Sequence, residues 1–306
     1  MQWDVLCARV LTHEDKEGCA HIEARGLERG GLDVERFVGL VVALCLFSLF
    51  FGVIEWFWPA LPDRKRQRGQ LKTDLVYWFF TPLISKTITR AVLLVIAIAG
   101  ALFFGKEVVQ ERVMSGYGPL STLPLGAQVA LTLIVGDVVA YWGHRLFHTG
   151  RLWKVHAIHH SSEHLDWLAA TRLHPLNDVI MRVAQASALL ALGIPMKILA
   201  AYVPFLALHG LFLHANVPWD FGPFRHVISS PKFHRWHHTS QEEGLDKNFS
   251  GLFPIWDHLF GTFYMPEERQ PERFGVPDAG VPEGIWGQLA FPFKRTRNSI
   301  QERDAV

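Results

Sequence analysis

Cysteine is scarce. Only Cys7, Cys19 and Cys45 occur, with no paired spacing, so the chain can build neither a thiolate metal site nor a disulfide framework. Charge is thin as well: Asp, Glu, Lys and Arg make up 19% of the residues, where a soluble protein carries roughly a quarter. A net charge of +1 leaves no excess of basic residues to meet a phosphate backbone, which argues against a nucleic-acid binder. There is no Gly-rich dinucleotide fingerprint, no CxxCH haem attachment and no ferredoxin cysteine set. None of the electron carriers that these motifs mark is therefore expected here. The first residues also lack the basic-then-apolar order of a secretory signal peptide.

Apolar residues are abundant. They form 49% of the chain, with 11 Trp and 22 Phe, and mean hydropathy is positive at +0.14. A length of 306 residues suits one large domain or two ordinary ones. Residues 1–35 are polar and mixed in charge, and a poorly ordered leader is expected there. From Phe37 to Leu61 the single charge is Glu55. About 20 apolar residues in a helix span the hydrocarbon core, so this is a first span, with Trp56 and Trp58 as interfacial anchors. The cluster Arg64, Lys65, Arg66 and Arg68 follows it and places that end in the cytoplasm.

The next apolar stretch, Leu75 to Phe104, is interrupted by Pro82, Lys86 and Arg90 and reads as one long or kinked helix leading back out. Residues 105–124 read as a polar external loop. Leu125 to Trp142 returns inward and delivers His144 to the cytoplasmic face. Val179 to Leu199 and Ala200 to Leu213 read as an apolar hairpin turning at Gly193-Ile194-Pro195, either two spans or a re-entrant pair. The expected fold is all-α: an integral-membrane bundle of four or five spans or re-entrant helices with a cytoplasmic histidine-rich cap. Its parts are the leader 1–35, membrane helices over 36–124, a catalytic region over 125–265 and a polar tail over 266–306.

Histidine is the unusual residue. Sixteen occur, and most crowd between His144 and His238. His144 and His148 stand at i and i+4. His156, His159 and His160 form HxxHH, and His234, His237 and His238 form a second HxxHH. Residues at i, i+3 and i+4 share one helix face, so each cluster can aim at least two imidazoles at one point. Imidazole suits Fe, Zn, Cu and Ni alike. These three clusters hold too many rings for one tetrahedral zinc and suit two metals, each with four or five nitrogens. His214 follows the hairpin and is a further ligand candidate. His174 is a candidate ligand or donor, and His209 stands five residues before His214, off its helical face. His164, His226 and His258 read as polar neighbours, while His13 and His21 sit in the leader.

The order HxxxH, HxxHH, a later histidine, then HxxHH resembles the fatty acid hydroxylase/sterol desaturase superfamily of membrane di-iron enzymes. The likeness runs from about Asp137 to Tyr264. It includes the ending Trp256-Asp257-His258-Leu259-Phe260-Gly261-Thr262. His160-Ser161-Ser162-Glu163 and Asp246-Lys247-Asn248-Phe249 are similar to the branch containing alkylglycerol monooxygenase and bacterial sterol desaturase-like proteins. The resemblance implies two iron ions, O2 as co-substrate and a lipid that is hydroxylated or desaturated. It implies His144, His148, His156, His159, His160, His214, His234, His237 and His238 as ligands. A tenth ligand would require a histidine near Gly210, where His209 is the one available.

Ligating imidazoles usually donate their other N–H to a carboxylate or carbonyl. Asp137 lies two helical turns before His144 and is the first candidate acceptor; Glu163, Asp257 and Asn248 follow. Electrons must come from a separate donor, a cytochrome, ferredoxin or pterin/reductase system. The basic cluster at Arg64–Arg68 could dock an acidic donor, although a topology signal accounts for it better. Lipid would enter sideways from the bilayer, with Trp142, Trp153, Trp167 and Trp236 lining its path or serving as interfacial anchors. Two other readings compete. A zinc-dependent membrane hydrolase would call for a pairing of base and ligand such as HExxH, which is absent. A non-enzymatic metal-binding or transport protein would place its ligands along the spans rather than beside one face.

Overall fold

The computed structural model describes residues 13–62, 70–276 and 279–294, with side chains from Val34 onward. The basic cluster at Arg64–Arg68 lies outside the described residues. The chain divides into two compact units, Met1–Phe50 and Phe51–Val306. Helix α1 runs over His13–Phe57. Residues 13–35, expected as an unordered leader, therefore have helical backbone. Their stretch is proline-free and carries five Glu, a good helix former.

Within the second unit, α2 (Leu71–Phe80) passes through a π-helical turn, Thr81–Ser85, into α3 (Lys86–Phe104). Pro82 opens that turn and has no N–H to give, so the wider turn falls where the α-helical ladder loses a bond. The segment 105–124 is not the loop expected. It holds α4 (Lys106–Ser115) and a single helical turn, Gly118–Ser121, because KEVVQERVMS is composed largely of helix formers.

Helices α5 (Leu125–Phe147), α6 (Gly150–His160), α7 (Pro175–Ala191) and α8 (Met196–His214) follow. A turn at Leu192–Pro195 joins α7 to α8, with Gly193 at φ +81°. A Cβ at Gly193 would strike the Tyr117 carbonyl. The Tyr117 hydroxyl and amide in turn hold the carbonyls of Ala191 (2.6 Å) and Gly193 (3.2 Å).

Among the described residues, four helices are long and apolar enough to cross a membrane: Val34–Phe57, Leu71–Phe104, Leu125–Phe147 and Met196–His214. The chain is thus an integral-membrane helical protein. Of the expected hairpin, only α8 has that character, since α7 carries Asn177, Asp178, Arg182 and Gln185. Close helix approach depends on small residues. A Cβ at Gly136 of α5 would collide with the Tyr202 ring of α8, and Gln185 of α7 donates to both the Gly136 carbonyl (2.9 Å) and the Tyr202 hydroxyl (3.1 Å). Gly136→Val is expected to cost ~1–3 kcal/mol through overpacking, read as a lowered Tm of the detergent-solubilised protein.

After α8 the chain folds into a cap carrying α9 (Pro231–His237), α10 (Ile255–Leu259) and α11 (Ile285–Ala290). Among the described residues there is no strand, only an isolated bridge between Thr239 and Phe274. Part of the stretch expected as a polar tail is core: Ile285 and Phe291 pack on Tyr77, Ala157 and Ile158. The lone charge of the first apolar run also has a place. Glu55 accepts the backbone amides of Trp167 (3.1 Å) and Asn216 (2.9 Å), tying the end of α1 to the segments beside His159 and His214.

Candidate metal centre

Four helix ends converge. His144 lies in the last turn of α5 and His148 caps it; α6 presents His156, His159 and His160; His214 ends α8; α9 carries His234 and His237, with His238 as its cap. Helix α9 is placed by Ser230, whose hydroxyl accepts the Phe233 amide (3.2 Å), and by Pro231 at the first helical position, a strong start signal. The nine imidazoles fall into two groups. His144, His148, His156, His160 and His237 form one; His159, His214, His234 and His238 form the other, and within each group the ring nitrogens lie within 4.8 Å of one another. His160 and His238 stack across the boundary at 4.3 Å and 20°.

Six of the nine outer nitrogens are held, while His234 Nδ1 is buried without a partner. His144 Nδ1 donates to the Phe249 carbonyl (2.8 Å) and His237 Nδ1 to the Lys247 carbonyl (2.8 Å). His159 Nδ1 donates to the Arg172 carbonyl (3.1 Å) and His214 Nδ1 to the Gly210 carbonyl (2.7 Å). His156 Nδ1 meets Asn177 Oδ1 (2.8 Å), and His148 Nδ1 meets Asp246 Oδ1 (2.9 Å). Asp246 and Asn248 have φ of +54° and +59°, a region those two residue types tolerate. The reversals at these alternate positions let the Lys247 and Phe249 carbonyls serve two different rings.

These bonds fix the tautomer. A carbonyl can only accept, so His159 and His214 carry their protons on Nδ1 and lone pairs on Nε2. Those two Nε2 atoms stand 3.1 Å apart. His144 and His156 present Nε2 to each other at 2.9 Å in the other group. Facing lone pairs at that distance repel, and neither member of either pair has a proton to place between them. Burial, reinforced by neighbouring imidazoles, holds His156, His159, His160, His234, His237 and His238 well below the ordinary histidine pKa. The His237 Nε2 atom is buried with no hydrogen-bond partner. Neutral rings with inward lone pairs are what a cation requires, and each group could hold one metal ion, with five nitrogens in the first and four in the second. Metal loading is therefore expected to raise the Tm, by mass action and by relieving this repulsion. Thermal unfolding with and without a strong chelator checks it.

The carboxylates expected beside the rings do something else. Asp137 reaches no histidine. It accepts the amides of Leu252 and Phe253 (both 2.8 Å) and the Trp256 indole (3.0 Å), because three donors from the cap descend onto that helix face. Asp257 accepts the amides of Phe249 (2.8 Å) and Ser250 (2.9 Å) and the Thr262 hydroxyl (2.6 Å). Asn248 joins the Phe233 carbonyl to both backbone groups of Tyr264. These three hold the loop whose carbonyls hold the rings. Glu163 is exposed beside Gly275. His174 caps α7, accepting the Leu176 amide (3.1 Å) and donating to the Leu289 carbonyl (3.2 Å), so it stands outside both groups. So does His209, which donates to the Gly251 carbonyl (3.1 Å).

Of the tryptophans, Trp153 packs on His148 (5.0 Å) and His160 (5.4 Å). Trp142 is half exposed, whereas Trp167 and Trp236 are core. The sequence reading missed Asn177, Asp246 and the buried Arg172–Asp74 pair. Asp246 did stand inside a quoted motif. Asn177 carried no signal beyond a position near His174-Pro175.

A fatty acid hydroxylase family model matches residues 129–262. Ornithine lipid hydroxylase OlsE of Rhizobium tropici is 34% identical over 174 residues, 56% of this chain and 52% of that protein. Alkylglycerol monooxygenase of Homo sapiens is 34% identical over 134 residues, 44% of this chain and 30% of that protein. Very-long-chain aldehyde decarbonylase GL1-8 of Oryza sativa subsp. indica is 28% identical over 164 residues, 51% and 61% of the two chains. The chain thus spans about half of the first relative's length and about three tenths of the second's. No solved structure matches it. All nine clustered histidines lie inside the segment, residues 129–262, that the fatty acid hydroxylase family model matches.

Proposed function

We propose that this chain is a membrane-bound non-haem di-iron oxygenase that hydroxylates a lipid, using O2 and two electrons from a separate donor. The observation that carries the reading is the paired set of five and four imidazoles with their inner nitrogens converging. Iron is favoured over zinc because the relatives are named for hydroxylase and monooxygenase activities, which need a redox metal, whereas a hydrolytic zinc keeps three protein ligands and an open position. Hydroxylation is favoured over desaturation on the same names. The substrate class that fits is a bilayer lipid with a polar headgroup, as in the ornithine lipid and alkylglycerol of those names. The histidine-bearing ends of the spans face the cytoplasm in this reading, as the basic run at Arg64–Arg68 indicates.

The nine histidines would hold the two irons, which would pass the donor's two electrons to O2 and so activate it against a C–H bond. The chain's own work is positional. The Phe249, Lys247, Arg172 and Gly210 carbonyls keep each proton on Nδ1 and the lone pair on Nε2, and such outer partners raise ligand basicity. Asp137, Asp257 and Asn248 keep the carbonyl-bearing loop closed. Trp153, Phe249 and Phe147 line the rings with apolar surface (His148–Phe249 5.0 Å, His156–Phe147 5.8 Å), which limits water at the reacting carbon.

The test combines two measurements. Metal analysis of the purified protein is expected to find about two irons per chain, the stoichiometry of a paired site. Lipid profiling of cells with and without the gene should find a product one oxygen heavier. A single zinc and an unchanged lipid profile would leave the hydrolase reading standing instead.

A further inference from the structure

Outside the candidate spans, a broad apolar surface lies uncovered. One part is the segment 221–228, where Phe224, Val227 and Ile228 are 63%, 54% and 42% exposed. The other is α10 with the residue after it, where Ile255, Leu259 and Phe260 are 46%, 64% and 40% exposed. The parts form one surface. His226 Nδ1 lies 3.0 Å from His258 Nε2, and Phe263 stacks on His258 at 4.0 Å. The two exposed imidazoles, His226 and His258, mark the junction, while the Asp257 carboxylate is fully buried and the Arg225 guanidinium is drawn to the Met265 carbonyl and to Glu267.

This surface continues into the lipid-facing sides of the spans. At one edge Phe260 packs on Trp142 of α5 at 4.7 Å, beside the exposed Leu146. At the other, Phe221 stacks on Phe212 of α8 at 6.0 Å, and Trp219 joins Phe212 (6.0 Å) to Trp58 (6.4 Å). Aromatic side chains at the ends of spans are characteristic of the membrane–water interface. Exposed apolar area of this extent marks an interaction surface. Continuity with two spans identifies the occupant as lipid, because a protein docked there would have to displace the bilayer from those same helices.

We propose that residues 221–228 and 255–260 form an apron immersed in the bilayer at the headgroup–acyl boundary, as interfacial apolar elements are. Packed rings link the apron to the metal centre. Phe260 stacks on Tyr141 at 5.4 Å, Tyr141 meets Phe249 at 6.1 Å, and Phe249 lies 5.0 Å from the His148 ring. Immersion is measured without turnover, so it stands or falls apart from the oxygenase reading.

The experiment uses the full-length, metal-loaded chain with Cys7, Cys19 and Cys45 changed to serine. Single cysteines replace Phe224 or Leu259 and are labelled with an environment-sensitive fluorophore in phosphatidylcholine vesicles. Phe103→Cys, 85% exposed on a candidate span, reports the hydrocarbon; Glu268→Cys, exposed outside the spans, reports water. Labels at 224 and 259 should be blue-shifted and lose most of their emission to brominated acyl chains, as the label at 103 does. Quenching by aqueous iodide instead, as at 268, would overturn the proposal. Shielding from both quenchers would overturn it too, by assigning the surface to a protein contact such as a second copy of the chain. Val227→Cys serves if Phe224→Cys does not fold.

Discussion

His159→Ala and His237→Ala, one from each histidine group, should strip metal from the protein and abolish oxygen-dependent product formation while leaving membrane insertion intact. Each ring belongs to a different donor set, and each gives its outer proton to a backbone carbonyl, so alanine removes a ligand whose orientation was already fixed. No other side chain is free to replace it, because the remaining rings are committed to the same two points. Metal content should fall from about two per chain to about one or fewer. The stacked His160 and His238 rings couple the groups, and loss at one is expected to loosen the other. Activity should drop by roughly 10³-fold or more, the scale seen when a required catalytic group is removed. His209→Ala is the contrast. That ring donates to the Gly251 carbonyl and stacks on Phe205, outside both histidine groups, so its loss should cost ~1 kcal/mol of stability with metal retained. A His159→Ala or His237→Ala protein that kept both metal and activity would remove that residue from the ligand set.

The histidine clusters were legible because helical spacing itself converts i, i+3 and i+4 into a common face. Long apolar runs were legible for the same reason: length and composition are local properties. What holds the rings was not. Four of the outer acceptors are backbone carbonyls, those of Phe249, Lys247, Arg172 and Gly210, and a carbonyl is present at every residue, so no motif marks it. Asp137 illustrates the limit. Its helical position relative to His144 was read correctly, yet the partner of a buried carboxylate is decided by whichever donors reach it. The amides of Leu252 and Phe253 come from a loop more than a hundred positions away. His174 was open to a better reading, since a residue just before proline adopts extended backbone and proline favours the first helical position. Those two facts make it a helix cap. The segment around Ile285 and Phe291 is too short to show a periodic pattern, and its burial against Tyr77 and Ile158 is a purely tertiary outcome.

The largest effect on stability should come from Asp74→Ala. Asp74 Oδ1 takes both Nε (2.8 Å) and Nη2 (2.5 Å) of Arg172. The remaining Arg172 nitrogen, Nη1, donates to Gln70 (2.8 Å) and the Ser161 hydroxyl (3.1 Å). The Arg172 side chain is 0% exposed and that of Asp74 is 7% exposed. Removing the carboxylate strands a guanidinium that water cannot reach, and breaking a buried pair in this way costs roughly 3–5 kcal/mol. Replacing both partners with apolar residues of similar size, Asp74→Leu with Arg172→Met, should recover much of that loss, because the penalty belongs to the unpaired charge and not to the absence of the pair. The damage should also be directional. Arg172 offers its carbonyl to His159 Nδ1, so the four-histidine group loses a fixed ring while His144, His148 and His237 keep their own acceptors on the 246–249 loop. Partner groups of this kind are worth about 10–100-fold in metal affinity. Asp74→Ala is therefore expected to lower the Tm sharply and to weaken binding of one metal ion per chain more than the other, read by unfolding in detergent and by metal titration. Equal weakening of both ions would show that the pair does not act through His159, and a double variant no more stable than the single one would show that the loss is not that of a stranded charge.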